Sequence, residues 1–435
     1  MSEKPKLNVK RTFLIGLGLC AISLSWSIYN SYVPIILKKY LTSTVLLGAV
    51  MALDNVFAVL VQPFFGIWSD KVNTRLGKRT PFILIGAPIA AAFFIFVPLS
   101  KTLASTMAVI IIFNFTMATW RAPIISLMPD VTPSSLRSKA NGIINTCGGI
   151  GGVLAFLIGG LLFNLGGMPL PFLVSAGVMV LCSIVLALTV HERRARAEMG
   201  YADDDPSVRN AKVKLERVKL SKPEKKSLVF IIMSLFFCFF GFNSIETYFT
   251  LYAVNKFPGF SAGDATILAS LFPLSYLVMA IPMGFLASKI GRKRTLQLGI
   301  LVDIAVFILV YNSTSIYAIA ALFVVGGMFW GGIVVNALPM VVEWGGEKHM
   351  GLFTSYYYLF TDPASIFSPI VFGWIYDRTG SYANAFIFAA ASFAIAFFCL
   401  LFVKHGEASP LLGKPVPEKV MPSCRASVVQ SEGGL

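Results

Sequence analysis

The sequence predicts an all-α polytopic membrane protein with twelve transmembrane helices in two six-helix halves. Three observations predict it. Of 435 residues, 56% are hydrophobic and 13% charged, whereas a soluble domain carries about 25% charged residues to cover its surface. Apolar stretches of roughly 20 residues, enough to cross a bilayer as a helix, recur along the chain. Finally, a charged turn at Gly66 to Gly86, GIWSDKVNTRLGKRTPFILIG, has a weaker echo at Gly284 to Gly299, GFLASKIGRKRTLQLG. Gly66 before Ser69 and Asp70 matches Gly284 before Ser288, and Gly77-Lys78-Arg79 matches Gly291-Arg292-Lys293. An internal repeat at about half the chain length implies two halves of one fold, as in many secondary transporters.

The spans are expected near 13–37, 45–68, 80–98, 102–128, 140–165 and 169–190, and again near 228–254, 264–287, 294–311, 315–342, 350–376 and 381–403. Residues 1–190 then form an N-terminal six-helix bundle and 228–404 a C-terminal one. The basic N-terminus MSEKPKLNVKR is followed by no cleavage site, so the first apolar run reads as a retained span. Between the halves, 191–227 is mixed in sign and poor in large apolar residues. It reads as a cytoplasmic linker that sets sidedness, with room for a short surface helix at Val208 to Leu220. The tail, 405–435, carries proline and glycine punctuation and is expected to be disordered and cytoplasmic.

The formal charge is +15, but its placement points to topology and excludes a nucleic-acid partner. With both termini inside, 30 of the 36 Lys and Arg fall on the cytoplasmic side. Lys38, Lys39, Lys101, Lys256 and Arg378 fall outside, and Arg121 lies within a span. Such a bias predicts a protein of the inner or plasma membrane in that orientation. The six cysteines have no paired spacing, which argues against a disulfide framework or zinc site. No HExxH, GxSxG or GxxxxGK[ST] pattern occurs. The sequence therefore predicts neither an enzyme nor an ATP-driven pump, no cofactor, and energy drawn from the solute's gradient or a coupled ion.

Charge inside a span is costly, so it marks function. Asp54 lies about nine residues into the second expected span, and Arg121 in the inner half of the fourth, within NFTMATWRAP. Both should face the interior, in substrate or ion coupling or as a purely structural buried pair. The second half offers Glu246 in GFNSIETYFTLY, with Asp303, Glu343 and Asp362 on later spans. Amide, hydroxyl, carboxylate and ring faces on one span suit a hydroxyl-rich ligand. On the first span Trp26, Tyr29 and Asn30 share spacing for one helix face, either lining a cavity or packing. Gly148 to Gly152 permits close helix contact. In the charged turn Asp70, Arg75, Lys78 and Arg79 set an acid among cations at a helix junction, suited to pairing in one conformation and release in another.

The repeated turn resembles that of the major facilitator superfamily over residues 11–404. The N-terminal half is similar to the sucrose and related sugar transporters at Val61-Gln62-Pro63, Gly66, Ser69-Asp70, Arg75, Gly77, Arg79, Pro81-Phe82-Ile83 and Gly86, then at Pro123, Asp130, Arg137 and Ala140-Asn141. The turn also resembles that of melibiose-type sodium–sugar carriers. The resemblance implies saccharide transport by alternating access and adds Asp130 and Arg137 to the gating group. In proton-coupled sucrose carriers an acid on helix 4 handles the proton, and Asn114 occupies that position here. The melibiose-type acids on helix 2 are replaced by Ala58 and Gln62. Asp54, one turn earlier, is the substitute this sequence offers.

The combined expectation is a secondary active transporter of a sugar or glycoside. Proton symport is the expected coupling, with sodium left open. Asn30, Asp54, Asn114, Arg121 and Glu246 are the substrate-binding candidates, Asp54 and Arg121 the coupling pair. Its partners are the solute and membrane lipid, and a monomer suffices. The alternatives are a uniporter or exporter of an anionic or amphipathic solute, since a neutral sugar does not require Arg121, and a transporter-like sensor or scaffold.

Overall fold

A computed structural model describes residues 7–133, 136–198, 221–342 and 346–404. The suggested helix at Val208 to Leu220, Glu343 and the tail lie outside the described residues. Among these residues fourteen helices follow one another: α1 (Val9–Lys38), α2 (Thr44–Met51), α3 (Leu53–Lys71), α4 (Thr80–Phe96), α5 (Leu103–Asp130), α6 (Arg137–Gly166), α7 (Pro169–Thr189), α8 (Glu192–Glu198), α9 (Lys222–Lys256), α10 (Ala262–Ile290), α11 (Arg292–Asn312), α12 (Ile316–Val342), α13 (Gly346–Thr379) and α14 (Asn384–Leu401).

Local chemistry sets many of these ends. Asn8 caps α1 by accepting the Arg11 N–H at 3.0 Å. Reciprocal capping boxes start α5 (Thr102 with Ser105), α9 (Ser221 with Glu224) and α10 (Ser261 with Asp264), each satisfying donors the first turn leaves free. These polar caps explain why α9 begins at Lys222 rather than near 228, since the helix runs past the apolar stretch. Ten helical runs, counting α2 with α3, are long and apolar enough to cross a membrane. Of the others, α4 is apolar but 17 residues long, and the 34-residue α13 carries Asp362, Asp377 and Arg378. Large apolar side chains lie on the outside, such as Leu188, Ile281 and Phe285. Lipid tolerates there what water would not.

The second expected span, 45–68, is not one helix. Its regular turn ends at Met51 and restarts at Leu53, so Asp54 lies in the first turn of α3 rather than deep in a continuous helix. Its carboxylate accepts the Asn55 backbone N–H at 2.6 Å and the Asn55 amide at 2.8 Å. A short polar side chain that takes local backbone donors competes with the helical ladder, a contest that periodicity does not register.

The helices before residue 190 pack chiefly on one another, with α1 against α6 and α7, α4 against α5 and α7, and α3 against α5. Those after 221 do the same, with α10 on α12, α9 on α13 and α14, and α11 on α12 and α14. The main seams between the sets are α6 with α10, α2 with α13 and α1 with α9, and α3 also touches α13. A ladder of rings fills the first set. Tyr29 stacks on Phe113 at 5.7 Å and Phe113 on Phe94 at 4.6 Å, with Phe94 against Phe172 at 4.7 Å.

Candidate functional site

Between the two sets lies a cavity of about 960 Å³, within the range that takes a drug-sized ligand. One wall comes from α1, α5 and α6, the other mainly from α9, α10, α12 and α13. It reaches Met128, Pro129 and Asn141, near the end of the molecule that carries Arg79. The wall is mostly apolar and aromatic. Phe242 and Trp330 stack at 4.4 Å, and Phe272 packs beside them. The small faces of Gly148, Gly149 and Gly152 open the opposite wall. Arg121 and Glu246 are its charged lining groups, with Asn141 and Asn145 supplying amides.

Sequence reasoning singled out Arg121 and Glu246, and both line the cavity. The Arg121 guanidinium, half-buried, forms no ion pair among the described residues. Asp54, Asp362 and the Tyr358 hydroxyl lie within its electrostatic range. Asp54 and Arg121 interact at a distance without forming an ion pair, and Asp54 Oδ1 accepts both Asn55 donors at the head of α3. Glu246 on α9 accepts the amide of Asn30 on α1 at 3.2 Å, which ties the two helix sets together beside the cavity.

The remaining binding candidates lie outside the lining. Asn30 spends its amide on Glu246. Asn114 is 1% exposed and donates to the Tyr29 hydroxyl at 3.1 Å inside the first helix set, while its carbonyl oxygen has no hydrogen-bond partner. On the first span, Trp26 lines the cavity while Tyr29 is fully buried. Asp303 is fully buried on α11, with neither oxygen hydrogen-bonded. Asp362 is half-buried on α13.

The gating candidates converge on Arg79. Its side chain, 6% exposed, pairs with Asp70 and with Asp130, the latter at 2.8 Å. It also donates to the Gly66 carbonyl at 2.9 Å and to the Ser69 hydroxyl. One guanidinium thus joins the end of α3, the start of α4 and the end of α5. Arg137 donates to the carbonyls of Pro129 at 3.0 Å and Thr132 at 3.3 Å, bracing the turn into α6. Arg75 is exposed and Lys78 half-buried, and neither forms an ion pair among the described residues.

Three groups escaped sequence reasoning. Glu192, placed in the solvated linker, is fully buried on α8 and accepts the Arg79 backbone N–H at 2.9 Å. Gly77 makes room for it. Its φ is +113°, and an added Cβ would approach the Glu192 Cβ to 2.8 Å. At the opposite end of the molecule Asn164 donates to Asp264 at 2.8 Å and Asp377 contacts the start of α2. The Ser261-x-x-Asp264 spacing is that of a capping box, a signal that would have marked Asp264 as a helix start but not its bond to Asn164. Nothing in sequence linked Glu192 or Asp377 to distant partners.

The Major Facilitator Superfamily family model matches residues 15–263 and 257–425. The chain belongs to that superfamily, whose members carry out secondary transport and are not enzymes. It is 26% identical over 359 residues to tetracycline resistance protein, class D, of Salmonella ordonez, covering 81% of this chain and 86% of that one. It is 31% identical over 207 residues to the general alpha-glucoside permease of Schizosaccharomyces pombe, covering 41% of this chain and 35% of that one. In fold it is similar to a bacterial homologue of the human lysosomal transporter Spinster in an inward-facing, occupied conformation. The TM-score is 0.72 at 14% identity, over 92% of this chain and 97% of that one. Kinship at this breadth supports the superfamily and does not single out sucrose or melibiose-type carriers.

Proposed function

We propose that the protein moves an amphipathic small solute, as an exporter or uniporter, by alternating access of two six-helix halves. In this reading α2 and α3 form one interrupted span, which gives twelve spans in all. The carrying observation is the cavity wall, a predominantly aromatic and aliphatic surface on which Arg121 and Glu246 are the charged groups and Asn141, Asn145 and scattered hydroxyls the neutral polar ones. A sugar needs many convergent hydrogen bonds, yet two of the amides expected to supply them, Asn30 and Asn114, are engaged within the protein. The long match to a tetracycline resistance protein supports the same reading.

With the basic Arg79 end in the cytoplasm, the cavity opens inward, in the cell membrane, with both termini inside. Arg121 takes an anionic or strongly polar part of the solute, and the stacked Phe242 and Trp330 take its apolar body. Asp54 and Glu246 are the acids through which a proton would couple. Saccharide uptake with proton symport is the second reading, favoured by the partial match to an alpha-glucoside permease.

Tryptophan fluorescence tests the choice, because Trp26 and Trp330 line the cavity. Saturable quenching by an anionic amphipathic dye in detergent, lost in part in Trp330→Phe, is the expected result. Quenching or competition by a disaccharide, with none by the dye, would favour the second reading.

A further inference from the structure

The end of the molecule opposite Arg79 is fastened across the helix sets by a carboxylate. Asp377, in the last turn of α13, accepts the backbone N–H of Thr44 at 2.7 Å and of Val45 at 3.3 Å, and the Ser43 hydroxyl at 2.9 Å. The two N–H groups are among the first-turn donors of α2, which have no partner within their own helix. A side chain of one helix set thus caps a helix of the other, where the helix dipole also favours an anion.

The seam around it is tight. The Tyr248 hydroxyl of α9 lies 2.8 Å from the Pro369 carbonyl oxygen and 3.3 Å from that of Thr44. A Cβ on Gly48 would collide with the Pro369 carbonyl, and one on Gly373 with that of Thr44. Lys38 donates to the Thr44 hydroxyl at 3.2 Å.

Two features separate Asp377 from Asp264, the other carboxylate that bonds across the sets at this end. Asp264, bonded to Asn164, also completes the capping box of its own helix, so it keeps partners if the sets part. Asp377 has the opposite relation to its own helix. A negative charge in a last turn opposes the dipole of α13, and its favourable helix terminus is the one across the seam. Because Asp377 is exposed, release returns the charge to water without burying it, and the contact is reversible.

We propose that Asp377 is the positioning residue that closes the far end of the cavity. By capping α2 across the seam it stabilises the state open at the Arg79 end, and the far end parts only when this cap is released. The inference rests on the alternating-access reading, and its test is independent of solute.

In the full-length protein with its six cysteines replaced, spin labels at Thr42→Cys and Thr379→Cys, both exposed, report the far-end separation without any ligand. In the wild-type background one short distance should dominate. Asp377→Asn should raise the ratio of the longer-distance population to the short one by about three- to tenfold, and Asp377→Glu should restore it. Ser43→Ala, which removes one of the three donors to Asp377 together with the long 3.4 Å bond from the Leu46 N–H, keeps both backbone donors to Asp377, should shift it less and serves as the gentler variant should Asp377→Asn misfold. Unchanged distances in both Asp377→Asn and Ser43→Ala would overturn the proposal, as would an Asp377→Glu distribution matching Asn. A distance shift in a protein that moves no amphipathic solute would contradict the transport reading and leave the cap standing.

Discussion

Arg79 and Arg121 are both cations held away from bulk water, and their surroundings assign them different work. Arg79, at the head of α4, satisfies two carboxylates, a hydroxyl and a carbonyl from α3 and α5. Removing it deprives Asp130 of its ion-pair partner, while the Gly66 carbonyl keeps the Ser69 hydroxyl at 2.8 Å. The effect is tempered because Asp70 is 59% exposed and can be hydrated. Arg79→Ala should cost about 3 kcal/mol, read as a lower thermal midpoint in detergent, with Arg79→Lys intermediate because an ammonium cannot fork to two acids. Arg121 has no such contacts, and it lines the cavity. Arg121→Gln should leave the thermal midpoint within a few degrees but weaken an anionic amphipathic dye about 10- to 100-fold, with a neutral analogue little affected. Equal loss for both dyes by fluorescence titration would place Arg121 in structure instead.

At the scale of elements, the turn between α3 and α4 depends on backbone as well as charge. Gly77 holds φ +113° against Glu192 of α8, a conformation costing a side-chain-bearing residue about 1–2 kcal/mol before any collision. Gly77→Ala should therefore lower the thermal midpoint and the yield of folded protein in membranes. Glu192→Ala combined with Gly77→Ala should cost less than the two separate losses added, because the Glu192 side chain is what the new methyl meets.

The apolar runs made the helices legible in sequence, since each described helix from α1 to α7 and α9 to α14 overlaps an expected span. The repeated glycine and basic residues of the turn likewise exposed the Arg79 cluster. Arg121 and Glu246 were legible because charge within an apolar run is costly. The break at Ala52 was hidden, since Asp54 and Asn55 form it by local hydrogen bonds and not by any loss of apolar residues. Glu192 and Asp377 were hidden because their partners lie more than a hundred residues away. A composition that fits both a sugar site and an aromatic wall left the solute open, because the engagement of Asn30 and Asn114 within the protein arises from packing that the sequence does not register.

For the whole molecule, the proposed transport needs a cavity closed at one end by cross-set contacts and open towards the other. Close packing at the α2–α13 seam implies that larger side chains there resist closure. Gly48→Leu should thus favour the far-end-open population in the same spin-label measurement and slow turnover. The most direct test is transport itself, in proteoliposomes of the full chain, with an anionic amphipathic dye and a labelled disaccharide panel measured in parallel, with and without an imposed proton gradient. Amphipathic transport predicts saturable movement of the dye, half-saturating at a much higher concentration in Arg121→Gln, and no carrier-dependent movement of the sugars. Accumulation of a disaccharide under the proton gradient, with the dye crossing no faster than in protein-free vesicles, would contradict it.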